Sequence, residues 1–203
     1  MTDMQREVWE RLYARKGELW SRRYDDWIQS RDDESVLDIG CGSGKSIYGV
    51  KGEIVGIDYS LNALRIARQR FGSSCLVCGD ASRLPFRDES FDLVRASYVL
   101  GHLDEECLAR TIREISRVMK ESGRLAVEVF SVRDGRCGRG RPVARNTYLD
   151  GDGITQRYFE PFELEELFSG FTTERLETVE WEQDIGPRKT MRRSAIRAIL
   201  RKR

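Results

Sequence analysis

Histidine is nearly absent from this chain: His102 is the only one in 203 residues. A zinc site normally needs two ligand pairs of histidine or cysteine, so one histidine leaves little to build it from, and no metal is expected. Cysteine is present as Cys41, Cys75, Cys78, Cys107 and Cys137, an odd count that forms no disulfide framework and fits a reducing compartment. Cys75 and Cys78 make one C-x-x-C, but in a strand positions i and i+3 face opposite ways, so the pair reads as ordinary small apolar residues. An excess of charge of one sign is missing too. Lys and Arg number 35 against 34 Asp and Glu, a formal net charge of +1, so no global field points to nucleic acid or to a membrane. No apolar run approaches the ~20 residues that span a bilayer. The segment from Met1 to Arg15 is charged and amphipathic, without the apolar stretch of a signal peptide. A cytoplasmic protein is expected. There is no internal repeat and no low-complexity linker, and the length suits one domain over 1–203.

What is present is an alternation. Residues 1–34 read as a helical cap of one or two helices, with Val8, Leu12, Trp20, Trp27 and Ile28 as apolar faces and Gly17 as a break. Strands are then expected at Ser35–Ile39, Glu53–Asp58, Ser74–Cys78, Phe91–Ser97 and Arg124–Phe130. Ser60 can cap a helix carrying Leu61, Leu64, Ala67 and Phe71, and Gly72 stops it. Asp104 can cap another with Leu108, Ile112, Ile115 and Met119 on one face, ended by Gly123. Strands alternating with helices predict parallel βαβ units covered on both faces. Residues 131–160 are rich in Gly and Arg with few helix signals, and a loop this long is usually functional or mobile. Pro161 opens a short helix through Leu167 and Phe168, and Gly170 closes it. Phe171–Trp181 and Met191–Leu200 are two extended segments, expected as an antiparallel hairpin at the sheet edge.

The strongest local signal is Val36-Leu37-Asp38-Ile39-Gly40-Cys41-Gly42-Ser43-Gly44-Lys45-Ser46, a strand running into a glycine loop and a short helix. Glycines there let backbone approach a ligand, and a helix N-terminus offers unpaired N–H groups. A P-loop fails by one position, since its first glycine would fall at Ile39; a dinucleotide fingerprint fails because its third glycine would fall at Lys45. What remains is D-x-G-x-G-x-G at Asp38, Gly40, Gly42 and Gly44. Downstream come Gly56-Ile57-Asp58-Tyr59-Ser60, with a carboxylate at the end of the second strand; Cys78-Gly79-Asp80-Ala81; Leu84-Pro85-Phe86 with Ser90-Phe91-Asp92-Leu93-Val94; Ser97 to Leu103; and Met119-Lys120-Glu121-Ser122-Gly123-Arg124-Leu125.

In that order, over Val36–Phe130, these motifs resemble the class I methyltransferases that use S-adenosylmethionine (SAM). The resemblance implies an α/β, Rossmann-like three-layer sandwich with a mostly parallel seven-stranded sheet whose last strand is antiparallel. It implies SAM across the carboxyl ends of the strands, with contacts from Asp38, Gly40, Cys41, Gly42, Gly44, Asp58, Tyr59, Asp80, Ala81 and Ser97. Asp58 would accept the ribose hydroxyls and Asp80 would meet the adenine amino group. Two departures stand out. Lys45–Gly52 is clipped where many members have a longer helix, a form similar to the wobble-uridine tRNA methyltransferases, which also carry an aromatic segment like Arg157-Tyr158 with Glu163-Leu164. Gly101 stands where many relatives have a second histidine.

Methyl transfer from a sulfonium is an in-line displacement, so positioning and desolvation contribute much of the rate, and a base is needed only if the acceptor must lose a proton. His102 follows the fourth strand and is the candidate base or orienting group. Trp20, Tyr24, Tyr98 and Tyr158 can wall the site. Arg133, Arg136, Arg139, Arg141 and Arg145 crowd the loop after the fifth strand, and guanidinium forks suit carboxylate or phosphate. Arg139, Arg141 and Tyr158 are the candidate acceptor contacts. A second basic group, Arg188, Lys189, Arg192, Arg193, Arg197, Arg201, Lys202 and Arg203, reads as the solvated face and frayed end of an edge strand, or as an RNA contact. The leading expectation is an enzyme methylating an anionic acceptor, a small metabolite or RNA. Its rivals are a tRNA wobble-uridine methyltransferase and a SAM-binding regulatory or scaffold protein without turnover.

Overall fold

The computed structural model describes residues 3–19, 27–47, 50–71 and 75–203. Seven strands form the main sheet: β1 (Ser35–Ile39), β2 (Glu53–Asp58), β3 (Cys75–Cys78), β4 (Phe91–Ser97), β5 (Met119–Phe130), β9 (Phe171–Gly186) and β10 (Lys189–Lys202), in the order β3-β2-β1-β4-β5-β10-β9. The first five are mutually parallel, and β10 is antiparallel to both β5 and β9. The α/β sheet with an antiparallel last strand is therefore as expected. Strand order reverses between β1 and β4, so the carboxyl ends of these two strands flank the crevice where doubly wound sheets bind ligands.

Each strand's alternation assigns its faces. Leu37, Ile39, Val94, Ala96, Leu125, Val127, Val129, Ile196, Ala198 and Leu200 join one large cluster with Leu108, Ile115 and Val118 of α3 (Glu105–Val118). The opposite face packs Val36, Leu93 and Ala126 against Ile28 and Trp27. α2 (Leu61–Phe71) is capped as expected, Ser60 Oγ accepting from the Ala63 N–H at 3.1 Å. Asp104 likewise accepts from Cys107 N–H at 2.8 Å to start α3. α3 ends at Val118, and Met119 already pairs with Phe91 in β5, so the helix stops short of Gly123. The β-region backbone of Met119 converts the helix directly into a strand.

Three further differences bear on function. Among the described residues of the N-terminal cap, α1 (Asp3–Lys16) forms as expected and is closed by Gly17 at φ +65°, but Trp27 and Ile28 lie on non-helical chain. Trp20, Tyr24 and Gly72 lie outside the described residues. The stretch 131–160 is not an irregular loop: β6 (Arg141–Ala144), β7 (Thr147–Leu149) and β8 (Thr155–Arg157) build a three-stranded antiparallel sheet. Its strands are three or four residues long, too short for periodicity to signal them. α4 (Pro161–Leu167) follows, with a capping box between Glu160 and Glu163. The last strand, finally, is interior, and β9 takes the edge.

Candidate functional site

The glycine loop leaves the end of β1 and is clamped to the end of β2. The N–H groups of Gly40 and Cys41 both donate to Ile57 O, at 2.8 and 3.1 Å, and the Gly42 N–H donates to Asp58 Oδ2 at 2.9 Å. The Ser60 N–H donates to the other carboxylate oxygen at 2.9 Å. Asp58 is therefore oriented by two backbone donors, one from the loop and one from its own turn. Burial pushes its carboxyl up to about 6, against the lowering pull of those bonds. Asp38 is only 1% exposed beneath the loop, where its carboxylate takes the Ser46 hydroxyl hydrogen bond; burial pushes it up to about 7. It holds the loop from below. Cys41 is buried beside it, and burial raises its thiol. Gly42 has φ +53°, and a Cβ there would stand 2.5 Å from the hydroxyl of Tyr13.

Tyr13 comes from α1, which covers this end of the sheet. Glu10, three residues earlier, accepts from the N–H groups of Leu61 and Asn62 and from the Ser60 hydroxyl at 2.7, 3.1 and 3.1 Å. A carboxylate from one helix thus caps another, where the dipole favours negative charge. Burial, then the charge of Asp58, raises the Tyr13 phenol. The Tyr59 hydroxyl is buried without a hydrogen-bond partner among the described residues, and burial followed by the charges of Asp58, Tyr13 and Asp80 raises it as well. Asp80 Oδ1 accepts from the Ser82 N–H and hydroxyl, both at 2.8 Å, with Ala81 and Leu84 buried behind it. Ser97 ends β4, and Tyr98 follows at φ +61°, its ring 4.4 Å from that of Phe130. A non-glycine residue in this region is strained, and such strain collects at functional sites.

A cavity of about 470 Å³ lies between α1, the small sheet and the ends of β5 and β10. It brings together His102, Arg139 and Tyr158 of the expected set; Arg141 is exposed on β6 and does not line it. Trp9, Phe130, Tyr148 and Gln156 line it without having been anticipated. Trp9 and Tyr13 share a helix face at spacing i, i+4, the one signal that could have marked α1 as a wall. His102 Nδ1 sits 2.8 Å from the carbonyl oxygen of Thr155 on β8. A carbonyl only accepts, so Nδ1 carries the proton and Nε2 keeps its lone pair. Burial lowers the imidazole's pKa and keeps it neutral at pH 7. Trp9 meets the ring edge-on at 4.8 Å.

Gly101 explains a missing histidine. A Cβ there would lie 2.2 Å from Gln156 Nε2 and 2.8 Å from Arg157 O, so β8 packs where a side chain would otherwise stand. The small sheet is anchored from below by Asp134, which accepts from Arg193 Nε at 2.7 Å, from the Ser194 N–H at 3.0 Å and from the Arg136 N–H at 2.9 Å. Arg193 is 2% exposed and stacks over Phe130 at 4.6 Å. The C-terminal basic group is a solvated face only in part: Arg193 and Arg197 are buried, Arg197 on Glu128, whereas Arg192 and Arg201 pair with Glu180 and Glu174 at the surface and Arg188, Lys189 and Arg203 are exposed. Among the described residues no group of three or more His, Cys, Asp or Glu could hold a metal, and no helix is long and apolar enough to cross a membrane. Cys41, Cys78, Cys107 and Cys137 are free thiols.

Comparison with known proteins agrees with this arrangement. The profile of a family described as "Methyltransferase domain" matches residues 37–127. A provisionally named methyltransferase of Encephalitozoon cuniculi is 40% identical over 154 residues, covering 72% of this chain and 71% of that protein. The tRNA N(3)-cytidine methyltransferase METTL2 of Gallus gallus is 26% identical, over 72% of this chain and 44% of its own. The chain spans about half the length of other curated relatives, demethylmenaquinone methyltransferases among them. Among solved structures, a SAM-dependent methyltransferase from Methanosarcina mazei superimposes with a TM-score of 0.71 at 25% identity, over 85% of this chain and 94% of that one.

Proposed function

The chain belongs to the methyltransferase-domain family of SAM-dependent enzymes, and from that premise we propose that it methylates a small anionic acceptor held in the cavity between α1 and the small sheet. SAM supplies an electrophilic methyl group on a sulfonium when bound. The residues fit it. Asp58 offers a fixed carboxylate to two vicinal hydroxyls, the partnerless Tyr59 hydroxyl stands beside it, and Gly42 leaves the loop no side chain to block approach. Gly40, Cys41 and Gly44 complete the loop for the methionine part, with Ser97 across the crevice. Asp80 and Ala81 would hold the adenine, over Leu84. Asp38 would act through Ser46, keeping the loop in shape.

On the acceptor side, His102 presents a neutral imidazole whose Nε2 can orient an acceptor or take its proton, since Nδ1 is committed to Thr155. Arg139 and Tyr158 line the same cavity and Arg141 flanks it on β6. The observation that carries the reading is the junction at Asp58, where loop, second strand and covering helix converge on one oriented carboxylate. The tRNA-modifying relative supports a second reading with an RNA acceptor. The free thiols favour a cytoplasmic location.

Calorimetry with S-adenosylhomocysteine tests the cofactor assignment. A single site is expected. Asp58→Ala should weaken binding by ~1.5–3 kcal/mol, the scale of hydrogen bonds to a charged group. Gly42→Val should abolish it. Wild-type affinity in both variants would remove the assignment.

A further inference from the structure

The cavity's lining narrows the acceptor class, an inference that rests on the methyltransferase reading. We infer that the acceptor is a small, planar aromatic anion, a carboxylate or its equivalent on one or two fused rings, and not a nucleic acid.

Size comes first. About 470 Å³ lies within the ~300–1,000 Å³ of small-molecule sites. The walls come from separate elements and are aromatic on each: Trp9 and His102 from α1 and the turn after β4, Phe130 from β5, Tyr148 from β7 and Tyr158 after β8. Tyr158 lies 6.3 Å from Phe130 and 6.1 Å from Tyr148 between ring centroids, so these rings form one continuous bank. Aromatic rings prefer offset-stacked or edge-to-face partners, so this lining selects a flat π-faced guest over a flexible aliphatic one.

Charge comes second. Arg136, Arg139 and Lys16 meet Asp150 and Asp152 around the cavity. Asp152 is neutralised, while Asp150 is oriented and keeps its charge. Asp150 Oδ1 accepts from the N–H groups of Asp152 and Ile154, and Asp152 takes Arg15 and Lys16 at 2.6 Å each. Lys16 is spent with it. The guanidinium of Arg139 has no ion-pair partner among the described residues, and Arg136 is half-buried beside it in sequence and cavity. The balance left for a guest is positive, in the fork geometry that carboxylates match.

RNA finds fewer available cations than the sequence suggests. Binding a strand requires neutralising several phosphates, which needs a run of available cations. Of the two basic segments, the C-terminal strand commits Arg192, Arg193, Arg197 and Arg201 each to a carboxylate, leaving Arg188 and Lys189 exposed at its start, and the loop arginines are divided between the cavity, at Arg136 and Arg139, and the exposed strand β6 and its turn, at Arg141 and Arg145. Asp152 also ties the turn between β7 and β8 to α1, both of which line the cavity.

The test is calorimetric titration of the full chain saturated with S-adenosylhomocysteine, using salicylate, hydroxynaphthoate and quinaldate, each paired with its neutral carboxamide. At least one carboxylate should bind below millimolar, with its carboxamide about tenfold weaker or more. Arg139→Gln should bring the carboxylate down to the carboxamide's affinity, Arg139→Lys should restore part of it, and Arg145→Gln, on the exposed outer strand turn, should change nothing. S-adenosylhomocysteine affinity should be the same in all three. Carboxamides that bind as tightly as carboxylates overturn the anion; no binding by any of the six overturns the aromatic class. A single-stranded RNA oligonucleotide that displaces the carboxylate with a steep salt dependence overturns it in favour of nucleic acid. Should S-adenosylhomocysteine itself fail to bind, the methyltransferase reading falls, and the same titration on the unliganded chain still decides the pocket.

Discussion

Asp58 and Asp38 on the cofactor side are held by backbone N–H groups and a serine hydroxyl, while Asp134 and Asp152 on the acceptor side are held chiefly by arginine and lysine. Asp38 sits two residues before the loop it shapes, and Asp58 reaches Gly42 from the end of the neighbouring strand, 16 residues on. The acceptor-side pair joins segments 59 and 137 residues apart. The half proposed for the cofactor is thus fixed mainly by backbone donors of the motif itself. The acceptor half is fixed by long-range ion pairs particular to this chain. α1 touches both, through Tyr13 and Glu10 on one side and Trp9 and Lys16 on the other.

The largest expected effect breaks the acceptor half at its buried anchor. Asp134→Ala leaves the Arg193 guanidinium buried without its carboxylate and strands two backbone donors. Removing one partner of a buried pair costs ~3–5 kcal/mol, so urea unfolding should shift by that amount and Tm should fall by roughly 10 °C. Arg139→Ala, on the exposed side of the same segment, should stay within ~0.5 kcal/mol of wild type. Equal losses for the two would mean that the small sheet's charges are all of one kind and the comparison fails.

The contrast also explains what could be read from the sequence. Asp38, Gly40, Gly42, Gly44, Asp58 and Asp80 announce themselves because motif and structure are local, each residue lying at a strand end or in the turn beyond it. Ser35–Ile39 and Glu53–Asp58 were legible to the residue. The small sheet was not. Its strands are too short to show a period, and it is held by Asp134–Arg193 and by Gln5 to Gly153, pairings that no window along the chain contains. The basic C-terminal strand misled for the same reason. Of its alternating arginines, Arg193 and Arg197 look solvated until Asp134 and Glu128 are brought opposite, while Arg192 and Arg201 stay at the surface beside Glu180 and Glu174.

A smaller effect sharpens the cofactor side through pH. Asp58 has its carboxyl raised to about 6 and Asp38 to about 7, both by burial. At these two carboxyls the folded state binds protons more readily than the unfolded chain. Their contribution to stability should rise as pH falls from about 7 toward about 4, since the cost of burying the charged forms is relieved in that window, outweighing the opposite contribution of the single buried His102. Ribose hydroxyls need the ionised acceptor, so affinity for S-adenosylhomocysteine should move the other way, falling by at most about tenfold per pH unit below about 6. Asp58→Asn should bind weakly with a flatter profile. Thermal unfolding and calorimetry across pH 4.5–8 read the two trends, and parallel slopes would show that Asp58 is not the group that meets the cofactor.

The smallest effect concerns the exposed latch. Asp152 receives Arg15 and Lys16 at 2.6 Å, but their side chains are 64% and 47% exposed, so water and salt screen both pairs. Asp152→Asn should cost only ~0.2–1 kcal/mol, against several for Asp134→Ala, although both aspartates join distant segments. The latch should matter for opening and not for folding. In hydrogen exchange at low salt, amides of α1 and of residues 150–155 should exchange up to about fivefold faster in the variant, the ratio that ~1 kcal/mol allows. At 1 M salt, where the screening length is ~3 Å, wild type and variant should coincide. Affinity for S-adenosylhomocysteine should barely change, because Glu10 still caps α2 and keeps Tyr13 against Gly42. If Asp152→Asn instead lowers that affinity as far as Asp58→Ala does, α1 moves as one rigid wall and the two halves of the site open together.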